Sequence, residues 1–266
     1  MKFFAVWVLI AVMVSGCAKQ VVRNAVPFEF DKVFSGVFST PQEDWKEKGL
    51  GLAKEGNYDE AMEAFKNHVL ENPESFFGFN ALAVCYKNVG DSSMAMKNYE
   101  RALEFASSNE DRAKILANIG NLYSAAKKYQ VALGFYKEAY QEFGKNPLYL
   151  ILIARTFLFL DEYPRARKVL GAAEDVQKDL DKYEKDDDRG LGYYLMAQSY
   201  VALDEEVKVF QYLEKALRAN PEKFVRKLNQ DIVDEQSLLY TIRDDSRLRK
   251  ALQRYSHGPS PQRFHS

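Results

Sequence analysis

Cysteine, histidine and tryptophan are scarce in this 266-residue chain, which has two, three and two of them respectively. Two cysteines, Cys17 and Cys85, cannot form the framework of bridges that holds small secreted domains together. Of the histidines, His68 falls inside a helical pattern, and His257 and His265 stand near the end of the chain. No HExxH, GxSxG, glycine-rich phosphate loop or paired-cysteine motif occurs, so the chain offers none of the recognised donor sets for zinc, phosphate or acyl chemistry. The expectation is a non-enzyme with no cofactor and no metal. Charge of one sign is lacking too: 37 basic side chains against 38 acidic ones leave a net charge of −1. Such a balance gives little of the counterion release that drives nucleic-acid binding, so nucleic acid is not an expected partner. Long hydrophobic runs are confined to Phe3 to Val14, short of the roughly 20 residues that a bilayer span requires.

What the chain does have is a phase. Ala61, Ala95, Ala132 and Ala166 recur at spacings of 34, 37 and 34 residues, each inside its own copy of one pattern. A period of this length marks stacked helical units rather than a compact enzyme fold. The first copy reads Trp45, Gly49, Leu52, Gly56, Tyr58, Ala61, Phe65 and Pro73, and the second Phe79, Leu82, Ala83, Tyr86, Gly90, Ala95, Tyr99 and Ala102. The third carries Leu116, Ile119, Gly120, Tyr123, Tyr129, Ala132, Tyr136 and Ala139, and the fourth Leu150, Ile153, Ala154, Phe157, Tyr163, Ala166, Leu170 and Ala173. A weaker fifth is phased by Tyr193, Met196, Ala197, Tyr200, Leu213, Ala216 and Pro221.

This pattern resembles the tetratricopeptide repeat (TPR), with Lys48 and His68 departing from the first copy where the family prefers Leu and Ala. The resemblance implies an all-α, right-handed superhelical solenoid of about five TPR helix pairs plus C-terminal capping helices. The repeats are placed at 42–75, 76–109, 113–146, 147–180 and 190–223. In each, the small residue at the eighth position of the first helix is expected to face the small residue of the second helix. The rings of Tyr58, Tyr99, Tyr123 and Tyr136 are read as core. Ser107 to Arg112 inserts three residues between copies, and the polar stretch Gln177 to Arg189 inserts nine, as an extended helix or a loop.

Residues 1–16 read as a signal peptide, and Val14-Ser15-Gly16-Cys17 resembles a bacterial lipobox. That resemblance implies cleavage before Cys17, whose thiol carries a diacylglycerol, with palmitate as the acyl type. Two or three chains anchor firmly where one does not. With Ala18 rather than Asp next, the resemblance further implies, in a Gram-negative host, a periplasm-facing anchor in the outer membrane. Residues 17–41 form a lipidated tether and aromatic arm with Phe28, Phe30, Phe34 and Phe38. Residues 224–255 are expected to cap the open end of the stack and 256–266 to be disordered. Cys85 is expected to be a buried small hydrophobe.

Binding is the remaining function. In the TPR family the first helices line a groove, and the resemblance assigns to it Lys46, Asn80, Lys87, Lys114, Asn118, Asn121, Leu148, Ile151, Arg155, Tyr194 and Gln198. The asparagines suit an extended peptide backbone and the lysines suit carboxylates. Arg155 offers a cation beside the apolar side chains of Leu148, Ile151 and Leu158, and Asn121 and Arg155 are expected to face solvent. Leu50 stands where the carboxylate-clamping TPR subfamily has Asn. The expected function is therefore a lipid-anchored scaffold for protein or peptide partners in envelope biogenesis, pilus or secretion assembly, or cell-wall enzyme recruitment. A homodimeric assembly factor and a periplasmic enzyme with an acidic site are the alternatives.

Overall fold

The computed structural model describes residues 44–181 and 189–256; the signal peptide, Cys17, the 17–41 arm and the tail beyond 256 lie outside them. Five helix pairs follow one another: α1 (Trp45–Glu55) with α2 (Tyr58–Glu71), α3 (Phe76–Asn88) with α4 (Ser92–Phe105), α5 (Asn109–Ala125) with α6 (Tyr129–Glu142). They continue with α7 (Pro147–Phe159) and α8 (Tyr163–Asp181), then α9 (Arg189–Ala202) and α10 (Glu206–Ala219). After them come α11 (Pro221–Asp231), a 3₁₀ turn (Leu238–Ile242) and α12 (Ser246–Ser256). The protein is an all-α solenoid.

Each pair turns on the same device. The linker places one residue in the left-handed region: Gly56 (φ 87°), Gly90 (89°), Lys127 (57°), Asp161 (58°) and Asp204 (58°). The next backbone N–H then reaches the carbonyl five residues back, as Asn57 to Leu52, Asp91 to Tyr86, Lys128 to Tyr123, Glu162 to Phe157 and Glu205 to Tyr200, all at 2.9–3.0 Å. This Schellman closure satisfies carbonyls that the end of the first helix would leave bare. Helix starts are capped as well. Ser75, Asp91 and Ser108 accept from the backbone of Gly78, Met94 and Asp111, while Asn146 and Asn220 cap helices whose first residue is proline. The Ser108 cap starts α5 at Asn109, so the three-residue insertion lengthens that helix at its front.

The phased alanines Ala61, Ala95, Ala132, Ala166 and Ala216 are all fully buried. Cys85 is also buried, with its thiol pushed up to about 11 by desolvation. The two glycines at the eighth position of a first helix, Gly49 and Gly120, each lie against a ring. A Cβ at Gly49 would lie 2.5 Å from Phe65 Cε1, and one at Gly120 would lie 2.5 Å from Tyr136 Cε1. Glycine there makes room for an aromatic ring one turn beyond the phased alanine. Three buried clusters form, around Phe65 and Cys85, around Tyr99 and Ile115, and from Ala113 through to Leu248. Tyr86 is packed against the first two, and Leu103, Tyr123 and Phe135 against the last two, which joins them into one seam.

Packing changes at the last pair. At the earlier junctions the second helix of one pair meets the first of the next, α2 on α3, α4 on α5 and α6 on α7, whereas α9, besides its own partner α10, packs against α7. The 3₁₀ turn then packs on α9, and α11 on α10 and α12. Tyr194 of α9 stacks on Phe224 of α11 at 5.5 Å between centroids, and Phe224, Leu228, Leu239 and Leu248 are fully buried. Among the described residues no helix is long and apolar enough to cross a membrane.

Candidate functional site

Side chains from successive first helices form one wall, and many of them are bonded to each other. Asn118 of α5 donates to Asn80 Oδ1 of α3 at 2.9 Å. Tyr136 of α6 donates its hydroxyl to Asn121 Oδ1 at 2.8 Å. Arg155 of α7 donates to Gln198 Oε1 of α9 at 2.8 Å, and Gln198 in turn donates to Asp231 Oδ2 of α11 at 2.9 Å. Tyr194 donates to the same carboxylate oxygen at 2.7 Å, with Lys227 Nζ at 3.9 Å. These bonds tie α3 to α5 and then α7 to α9 to α11.

The eleven expected groove residues therefore divide. Lys46 and Lys114 are exposed, Lys46 lying 4.8 Å from the ring centre of Phe77 and Lys114 paired with Glu110 at 2.8 Å. Asn80, Lys87, Asn118, Asn121 and Leu148 are half-buried. Partial desolvation lowers the pKa of Lys87, which has no ion-pair partner among the described residues. The apolar part of the expectation is corrected. Ile151 and Tyr194 are fully buried and Gln198 nearly so, because the unusual α7–α9 approach and the returning 3₁₀ turn cover them. Arg155 is corrected too. The residue is half-buried, and its guanidinium, which donates to Gln198, has its pKa lowered by desolvation against the raising influence of Tyr136 and Asp231. Asn121 likewise spends its acceptor on Tyr136.

Asp231, Tyr136 and Leu238 belong to this wall and were not anticipated. Asp231 lies beyond the repeat signature, so no periodicity points to it. Tyr136 sits at a core position and reveals its role only through the reach of its hydroxyl. A cavity of about 120 Å³ opens at the carboxyl end of the wall, lined by Arg155, Leu158, Phe159, Tyr163, Ala202 and Leu238. On the other side of the same junction, Tyr200 and Lys208 reach Glu174 of α8, Lys208 at 3.2 Å. Among the described residues no group of three or more His, Cys, Asp or Glu side chains is placed to hold a metal ion.

Residues 74–141 match the family model of the tetratricopeptide repeat. The chain is 28% identical over 111 residues to Hsp70-Hsp90 organizing protein 3 of Arabidopsis thaliana, covering 42% of this chain and 19% of that protein. It is 30% identical over 181 residues to human Superkiller complex protein 3, covering 65% of this chain and 10% of that one. The chain thus spans under a fifth of the length of these curated relatives. Among solved structures, pilF of Pseudomonas aeruginosa superposes with a TM-score of 0.50 at 20% identity, covering 81% of this chain and 91% of that chain. That likeness shows the fold.

Proposed function

We propose that this chain is a non-enzymatic scaffold that holds protein or peptide partners along the wall of its first helices. In this reading it is anchored through acyl chains on Cys17 to the periplasmic face of a Gram-negative outer membrane, where it serves the assembly of an envelope structure or the recruitment of an envelope enzyme. The observation that carries the scaffold is the run of half-buried amides and cations across successive repeats, Asn80, Lys87, Asn118 and Asn121. Each has been drawn partly out of water with donors left to give, an arrangement that a bound chain completes. The family match and two relatives named for an organizing protein and a complex support a role in holding proteins together. The anchor rests on the Val14 to Cys17 sequence.

The test is isolation of the full-length chain from its native membranes after mild cross-linking, with mass spectrometry of what accompanies it. Defined partners are expected, and their recovery is expected to fall in an Asn118→Ala, Asn121→Ala variant of unchanged melting temperature. Recovery of the chain alone would overturn the scaffold. Separately, Cys17→Ser is expected to leave the outer-membrane fraction; retention there after a high-salt wash would overturn the anchor.

A further inference from the structure

The cavity at the end of the wall combines two properties that seldom meet. Leu158, Phe159, Ala202 and Leu238 make most of its lining hydrocarbon, while Arg155 brings a guanidinium into the same lining. Phe159 and Tyr163, which also line it, are 44% and 45% exposed, so the cavity is open to solvent. A guanidinium has five N–H donors. Among the described residues the only side-chain hydrogen bond of Arg155 goes to Gln198. The carboxylate of Asp231 is already shared by Tyr194, Gln198 and, at longer range, Lys227, and that of Asp161 accepts from Tyr163 of the lining at 3.1 Å. With Asp231 engaged in this way, the remaining N–H donors of the half-buried Arg155 are left to meet an anion, and its partial removal from water strengthens that attraction over an open surface.

We propose that this cavity is a specificity site for a partner segment in which an aliphatic side chain is followed within one or two residues by an internal Asp or Glu. The aliphatic group fills the cavity and the carboxylate accepts from the remaining N–H donors of Arg155. An apolar cavity of roughly 150 Å³ takes up a benzene molecule. At about 120 Å³ this one suits a branched aliphatic chain and is too small for an indole. An internal acid fits better than a chain terminus, because the amide wall of Asn80, Asn118 and Asn121 runs on from the cavity and is suited to a chain that passes along it. The inference rests on the scaffold reading and names what the scaffold selects.

Three capped peptides test it against the isotope-labelled full-length chain in detergent: acetyl-Ser-Gly-Leu-Asp-Gly-Ser-amide, the same with Asn for Asp, and the same with Gly for Leu. The Leu-Asp peptide is expected to shift the amide resonances of Leu158, Ala202 and Leu238. Either replacement is expected to weaken it about tenfold or more, the loss of one charged hydrogen bond or one buried side chain. Ala202→Leu, which fills the cavity from its wall and leaves Arg155 and Gln198 in place, is expected to remove the shifts. Equal binding of the Asp and Asn peptides, shifts confined to other residues, or tighter binding of a peptide ending in a free Leu carboxylate would each overturn the proposal. The peptide comparison needs only the unmodified chain, so it stands even if Ala202→Leu fails to fold. If that variant still captures the partners of the unmodified protein, the cavity proposal falls and the scaffold survives. If the unmodified protein captures none, the scaffold itself falls.

Discussion

The ring of Tyr136 occupies the space that a side chain at Gly120 would fill, and from there its hydroxyl reaches Asn121 Oδ1 at 2.8 Å. One residue thus seals the interior of the third pair with its face and fixes a wall residue with its edge. Gly120→Ala would drive a methyl group to 2.5 Å from the ring. Overpacking of this kind costs about 1–3 kcal/mol. A lower melting temperature is expected, together with loss of the Asn121 restraint, seen as sharpened side-chain amide signals; an unchanged melt would show that the ring moves aside freely.

Lys127 makes, at φ 57°, the turn that Gly56 and Gly90 make in the first two pairs. A left-handed conformation costs an ordinary residue roughly 1–2 kcal/mol, partly offset in glycine by a more flexible unfolded chain. Lys127→Gly is therefore expected to stabilise the protein by about 0.5–1 kcal/mol in urea unfolding. A loss of stability would mean that the lysine side chain contributes more than its backbone costs.

Arg155→Glu would place a second acid beside Gln198 and Asp231 in a desolvated position. Removing one partner of a buried charged network costs about 3–5 kcal/mol, and a like charge adds to that. The expected outcome is a clear fall in melting temperature with the carboxyl-terminal pairs loosened first in hydrogen exchange. Arg155→Met, which keeps length without charge, is expected to be milder.

Burial disfavours the charged form of Glu174, but hydrogen bonds from Tyr200 and Lys208 outweigh it and hold its pKa below the ordinary 4.5. A carboxyl whose pKa is depressed on folding contributes stability that is present above 4.5 and is lost as pH falls through the lower folded value. Glu174→Gln is expected to melt at a lower temperature than the unmodified protein at neutral pH, with the gap closing in acid below that value. A gap independent of pH would show that shape rather than charge holds this contact.

The repeat itself was legible because its physics is local. Alanine recurs where two backbones meet, as at Ala61 and Ala132, and glycine marks the turn at Gly56 and Gly90. Lys127 makes the same turn without any sign in the sequence, since the surrounding helices force the conformation on a residue that does not prefer it, while Asp161 and Asp204 are of a type that enters the left-handed region more readily. The wall was legible as a set of positions and not as a set of exposures. Position alone places Ile151, Tyr194 and Gln198 beside Asn121, but their burial depends on the α7–α9 approach and on a 3₁₀ turn from beyond the repeats. Asp231, which completes the bonds to Gln198 and Tyr194, is held there by tertiary packing that no short-range pattern records.

The three buried clusters differ in how firmly they are secured, and this gives the molecule a direction. The last runs unbroken from Ala113 to Leu248 and is reinforced by Arg155, Gln198 and Asp231; the first depends on little more than Ala61, Met62, Phe65 and their neighbours in α3. In a chain of nearest-neighbour contacts, load applied at one end is borne by the interface nearest to it. Tension arriving through residue 44 would peel α1 and α2 away first and leave the far end clasped. The protein is built to yield at its front and keep its grip at the rear.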